Sequence, residues 1–132
     1  MNAVGEDIKD MLEDSSSGLG LTFGTDLFIA REPTKPDQCV TIFDTGGLPN
    51  QLTLGMEGNY YYPSIQIRVR SNSYTDGWEL IQNIMISLHG RDQETWNGTL
   101  YSIIKQSSGP ALLDWDDNNR VRFVVNFDMQ RR

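Results

Sequence analysis

The run Asp114-Trp115-Asp116-Asp117-Asn118-Asn119 places oxygen-bearing side chains at the first, third and fifth positions of what could be a calcium loop. Such a loop needs a glycine at its sixth position for the sharp turn and a bidentate Glu at its twelfth. Those positions are Asn119 and Val125, so the pattern fails as a cation site. The single cysteine, Cys39, and the single histidine, His89, would form a nucleophile and base only if the fold brought them together. One Cys and one His are too few for a zinc site of the usual kind. A lone Cys is more simply a buried side chain, and His89, at the end of an expected helix, more simply a cap whose charge suits the helix dipole. Gly18-Leu19-Gly20 lacks the third glycine and the following helix of a dinucleotide fingerprint. Asn97-Gly98-Thr99 has the form of a glycosylation triplet, which has meaning only in a secreted chain. The sequence therefore offers no credible catalytic centre and no cofactor or metal site.

The elements that position these residues follow from length and patterning. The chain has 132 residues with 38% apolar content, enough for one core and too few for two, so residues 1–132 are expected to form a single domain. No apolar run approaches the roughly 18 residues needed to cross a bilayer, so no membrane partner is expected. The N-terminus is acidic and lacks the basic-then-apolar order of a signal peptide, which suggests a chain made and kept inside the cell. Residues 1–60 hold ten acids and three bases, which accounts for the whole net charge of −7. A chain this acidic is a poor candidate for gripping phosphate backbones. Arg68/Arg70 and Arg120/Arg122 stand at i, i+2 spacing, each pair on one sheet face, either ion-paired there or meeting an acidic partner.

The strongest periodicity lies in residues 62–90. Ile65, Ile67 and Val69 alternate with Gln66, Arg68 and Arg70, the signature of a strand with one buried face. Tyr74, Trp78, Ile81, Met85 and Leu88 then recur at helical spacing, with Ile84 at the edge of the stripe. Ser73 is placed as N-cap and Gly90 to end the helix in a left-handed turn. Residues 3–14 read as a short helix burying Val4, Ile8, Met11 and Leu12, with Glu6, Asp7, Asp10 and Glu13 around that face. Residues 27–31 and 39–43 read as strands joined antiparallel across a Pro-rich turn. Residues 44–61 show no clear period, though Leu52, Leu54 and Met56 alternate as in a projecting hairpin. Residues 91–98 read as a polar link, 99–107 as a strand ending at a Gly109-Pro110 turn, 114–119 as an acidic turn and 120–129 as an alternating strand. This order predicts an α+β fold: a single mixed, mostly antiparallel sheet of about five strands with two helices on one face and a long loop over 44–61.

Phe28-Ile29-Ala30-Arg31-Glu32-Pro33, then Pro36-Asp37-Gln38-Cys39-Val40-Thr41-Ile42-Phe43-Asp44-Thr45-Gly46-Gly47, and then Pro63-Ser64-Ile65-Gln66-Ile67-Arg68-Val69-Arg70 before a helix form a recognisable series. It resembles the tail terminator, or tail completion, proteins of long-tailed phages, often labelled minor capsid proteins. The likeness runs through Tyr101 to the final strand, and its motifs are short and structural. It implies a non-enzymatic virion subunit that closes into a hexameric ring on the tail tube, in the neck region, after assembly in the host bacterial cytoplasm. The partners it implies are other copies of the chain, the tail tube protein and a head-completion or neck protein, with genomic DNA passing through without specific binding. Another neck or head-completion adaptor is the nearest alternative reading, and a small α+β enzyme or ligand-binding domain a more distant one.

For such a ring, the expected contact surface centres on Asp44, Gly46, Gly47, Leu52, Leu54, Met56, Tyr60 and Tyr61. Arg68 and Arg70 are candidates on the sheet, and Leu80 and Ile86 on the helix, off its main apolar stripe. Glu6, Asp10, Asp44 and Glu57 are candidate channel-lining acids, where like charge would keep passing DNA from sticking.

Overall fold

Val121–Arg131 (β8) carries the alternation expected of it: Val121, Phe123, Val125, Phe127 and Met129 are buried on one face. It is the strand around which a sheet of eight forms in a computed structural model that describes residues 1–51 and 60–132. Along one edge β8 pairs antiparallel with Ser64–Ser71 (β5) and then, at Arg131, with Tyr60–Tyr62 (β4). Along the other it pairs with Thr99–Trp115 (β7), which in turn pairs with Asp92–Trp96 (β6). Cys39–Asp44 (β2) lies antiparallel to β5, Leu48–Gln51 (β3) antiparallel to β4, and Leu27–Ile29 (β1) completes the edge beside β2. Helices Val4–Glu13 (α1) and Tyr74–Leu88 (α2) contribute Val4, Ile8, Met11, Leu12, Ile81, Ile84 and Leu88 to one core with the inward residues of the strands. The α+β class and the helical layer on one face are as expected; the sheet is larger than five strands.

The surplus strands come from segments whose pattern misleads. The described part of 44–61 is not all loop, since it holds β3 and β4. β2 runs on through Gly46 and Gly47 into β3, and β4 runs on through Pro63 into β5, so the four strands form one long antiparallel arm, Asp44 facing Ile65 and Leu48 facing Tyr62. Gly47 is required there: at φ +90°, a Cβ would stand 2.1 Å from the carbonyl oxygen of Tyr62. Residues 91–98 hold β6 and a two-residue turn at Asn97 (φ 51°) and Gly98 (φ 79°), the left-handed pair a tight hairpin demands. The Asn-Gly dipeptide, suggestive of glycosylation, is that turn. At Gly109-Pro110 the chain does not reverse; β7 continues through register shifts to Trp115.

β1 and β2 are parallel, Leu27 beside Val40 and Ile29 beside Ile42, not antiparallel as expected. β1 spans only about 10 Å at strand rise, so residues 30–38 are long enough to return to its starting end. Arginines fix that return. Arg70 donates to the carbonyls of Thr34 (3.3 Å) and Pro36 (2.7 Å) and to Glu32 (3.1 Å), while Arg120 donates to the carbonyl of Thr34.

α2 begins where expected, with the Ser73 hydroxyl accepting from the Asp76 N–H at 3.3 Å. Its buried stripe is rotated from the expected one: Gly77, Ile81, Ile84 and Leu88 are buried, while Tyr74 is exposed and Trp78 and Met85 are half-buried. Gly77 explains the rotation, because it lets the helix sit directly on Phe123 and Ser71. Tyr74 and Trp78 meet the Phe123 ring edge-on at 5.3 and 5.6 Å. At the far end Gly90 (φ +87°) ends the helix in the expected left-handed turn, the Arg91 N–H meeting the Leu88 carbonyl at 3.3 Å, while the Gly90 N–H goes to Ile104 of β7.

Asp7 is fully buried, although the pattern of α1 placed it among the solvated acids. Its carboxylate accepts from the Tyr101 hydroxyl and from Asn97 Nδ2 (2.7 Å), with Arg131 Nη1 at 3.6 Å. Burial, with that hydrogen bond into Asp7, pushes the Tyr101 phenol well above its ordinary range. The cluster therefore ties α1 to the β6–β7 turn and to the end of β8 by charge-assisted bonds.

Two stability measurements check this packing. Gly77→Ala gains about 1 kcal/mol of helix propensity but puts a methyl 3.0 Å from the Phe123 ring and 3.2 Å from Ser71 Cβ. The overpacking outweighs the gain, so chemical denaturation should show a net loss of ~1–2 kcal/mol. Asp7→Ala strands Arg131 and should cost ~3–5 kcal/mol, whereas Asp10→Ala, on the same helix but partly exposed, should stay within ~1 kcal/mol.

Candidate assembly surfaces

The residues with chemical potential are placed apart and put to structural use. Cys39 is buried on β2, and burial pushes its thiol up from the ordinary range. His89 sits beyond β5 and β8, where its Nδ1 accepts the Gln106 N–H at 2.9 Å and pins the outer edge of β7. No nucleophile–base pair is assembled between them. Asp116 organises its own turn, accepting from the backbone N–H groups of Asn118 (3.0 Å) and Arg120 (2.8 Å) and from Arg120 Nε (2.7 Å). Burial opposes its charge, but those hydrogen bonds prevail and hold its carboxyl below the usual range. Asp114 bonds Arg122 at 3.1 Å instead. Among the described residues no group of three or more His, Cys, Asp and Glu could hold a metal.

The residues expected to meet other subunits divide three ways. Asp44 ends β2 exposed, and from it through Asn50 every residue is exposed, Leu48 at 71%. β2 and β5, by contrast, each bury residues in the core, and in β5 Ile65, Ile67 and Val69 point inward. The distal arm is thus built to strand geometry, with Gly47 pressed against β4 and β5, yet packs on no core of its own subunit. Leu52, Leu54, Met56 and Glu57 lie outside the described residues. Tyr60 and Tyr61 are half-buried on β4, the Tyr60 ring lying 5.5 Å from the Arg132 guanidinium. Ile86 is 68% exposed on α2, while Leu80 is half-buried against the core.

Arg70 cannot serve as a contact surface. It is 2% exposed, and its guanidinium is spent on Glu32 and the carbonyls of the 30–38 link. Arg68, half-buried, lies 4.8 Å over the Phe43 ring and donates to Gln66 at 2.8 Å. Of the acids, Glu6 is exposed with Lys9 3.8 Å away, whereas Asp10 is engaged by Lys9 at 3.2 Å and Asn97 at 2.8 Å. Asp44 stands close to Gly5 at the start of α1, so it shares a corner of the molecule with the first turn of that helix.

The sequence did not single out the far half of β7. Leu112, Leu113 and Trp115 are exposed there at 51, 41 and 53%. Leu112 faces Phe123 across the ladder and Trp115 faces Val121, while the exposed Tyr74 ring meets Phe123 from α2. The signal was present as three large apolar residues within four positions, but it fell between an expected turn and an acidic run. On the other side of the sheet from the helices, Leu48, Tyr62, Ser64, Ile103 and Asp128 line a groove of about 280 Å³ between the distal arm and β7.

A search of curated proteins returns no match. Among solved structures the fold is similar to a chain of a particle titled "Virion of native gene transfer agent (GTA) particle", with a TM-score of 0.68. The match covers 98% of this chain and 94% of that one at 12% identity, a likeness of fold alone. The family model described as "Bacteriophage tail terminator protein" matches residues 15–132, which is everything after α1. The chain belongs to the bacteriophage tail terminator protein family.

Proposed function

We propose that this protein ends growth of a phage tail tube by closing, as six copies, into a ring on the tube's last layer. A tube of stacked rings grows because each top surface fits the next bottom surface. A terminator matches the exposed top and then offers a face that rejects a further tube ring, which is specificity by mismatch. That second face receives a head-completion or neck protein, and the DNA passes through the hole.

The observation that carries the reading is the distal hairpin arm. A strand pair with registered partners and a glycine-dependent close approach, exposed without interruption from Asp44 to Asn50, is what a subunit needs to order against a neighbour. The 44–61 segment makes the contact between copies, with Tyr60 and Tyr61 at its base and Ile86 adding apolar area on the helical side. Glu6 and Asp44, clustered at one corner, line the channel together with Glu57, and Asp10 contributes less because Lys9 and Asn97 already hold it. Like charge along the channel denies the phosphates the cationic contacts that generate non-specific affinity.

Mixed with purified tube subunits, the protein should cap tubes at one end and fix their length. Tubes that keep elongating in its presence, or a protein that binds only the portal side of a head, would instead mark a neck adaptor. Shortening the 44–61 segment to a tight turn should leave the fold intact by circular dichroism and abolish capping. Unimpaired capping by that variant would remove the hairpin from the contact.

A further inference from the structure

We infer that the far half of β7 is the counter-surface of the contact between copies: residues 111–115 of one subunit receive the β3 arm of the next. The inference rests on the ring reading above and names the two surfaces that make the ring.

Three observations lead there. The first is an open edge. β6 and the His89–Arg91 segment cover the outer edge of β7 through Gln106, and beyond it no described strand lies alongside. β3 likewise has β4 on one side and no described strand on the other. These two open edges lie on opposite sides of the sheet, so joining one to the other on successive copies is a head-to-tail contact, the kind that closes into a ring. An isologous contact, β7 to β7, would stop at a dimer.

The second is apolar exposure. Leu112 and Trp115 stand exposed on β7 beside the buried Phe123 and Val121 of β8, and Leu48 is the most exposed large apolar residue of the described chain. Large apolar side chains on an open strand invite uncontrolled pairing unless something covers them.

The third decides the occupant. Copies of a chain carrying −7 repel one another, so they meet where charge is absent. Residues 46–51, Gly-Gly-Leu-Pro-Asn-Gln, contain no charged group. In 111–115 the one charge, Asp114, is neutralised by Arg122 at 3.1 Å. Both open edges are therefore free of unpaired charge, and each offers the other apolar side chains. Pro49 removes a backbone donor from the first, and Pro110 removes one immediately before the second. The contact is thus carried by side chains and not by a long backbone ladder, which also keeps it from propagating as a fibre.

The test uses the full-length chain with cysteines introduced as Leu48→Cys and Leu112→Cys, singly and together; Cys39 is buried and stays silent. A short bis-maleimide is applied to the protein alone at rising concentration and again with tube subunits present. The double variant should give a ladder of products ending at a closed ring, and neither single variant should. Adding Trp115→Glu should reduce the ladder about tenfold or more, the loss expected of a central aromatic anchor, without changing the circular dichroism spectrum. Dimers from Leu112→Cys alone would show symmetric pairing of β7 and overturn the inference. So would the absence of any ladder in both settings. Tube length with the unmodified protein is measured in parallel: fixed length without a ladder sinks this contact alone, whereas unlimited growth sinks the terminator reading itself.

Discussion

The seat of α2 on Phe123 is the contact on which the rest of this molecule depends. Phe123 lies on the central strand, flanked in register by Val69 of β5 and Leu112 of β7, and is capped by Gly77, Tyr74 and Trp78. A residue with a side chain at position 77 would hold the helix off the sheet. Because Gly77 brings it close, Ile81, Ile84 and Leu88 reach the core, each worth about 1.5–3 kcal/mol of burial. The same close approach turns Tyr74 outward. One packing decision at the centre of the subunit thus sets both how firmly the helix is held and which aromatic surface remains exposed beside β7.

The polar anchors work at the ends of this assembly, where the apolar core thins out. Arg70 and Arg120 hold the 30–38 link at one end, and Asp7, Tyr101, Asn97 and Arg131 hold α1 at the other. Arg70, Arg120 and Asp7 are buried and multiply bonded, so breaking one partner leaves an uncompensated charge. Such anchors fix geometry more than they add net stability. They fix the geometry of the sheet at both of its ends.

Much of this was legible in the sequence where one rule dominated. β5, α2 and β8 announce themselves by alternation, helical spacing and an N-cap, and the core residues follow from those periods. The failures come from residues serving two demands at once. Asp7 reads as a solvated helix acid because its partner Tyr101 is 94 positions away. Gly77 reads as a weak point in a helix, yet its missing side chain decides the packing. β3 and the far half of β7 carry no amphipathic alternation, because neither face of them is buried within the subunit. A strand without a buried face leaves no period to find, so pattern reading passes over it.

That absence of a period is itself informative. A strand normally earns its place by burying one face, and the distal arm and residues 111–115 do not, although their backbones are held in register by β4 and β8. Backbone pairing alone is a thin reward for ordering residues that each lose roughly 1–2 kcal/mol of backbone freedom. These are strands whose exposed faces the single subunit leaves uncovered, and the one charge in residues 111–115, Asp114, is paired with Arg122.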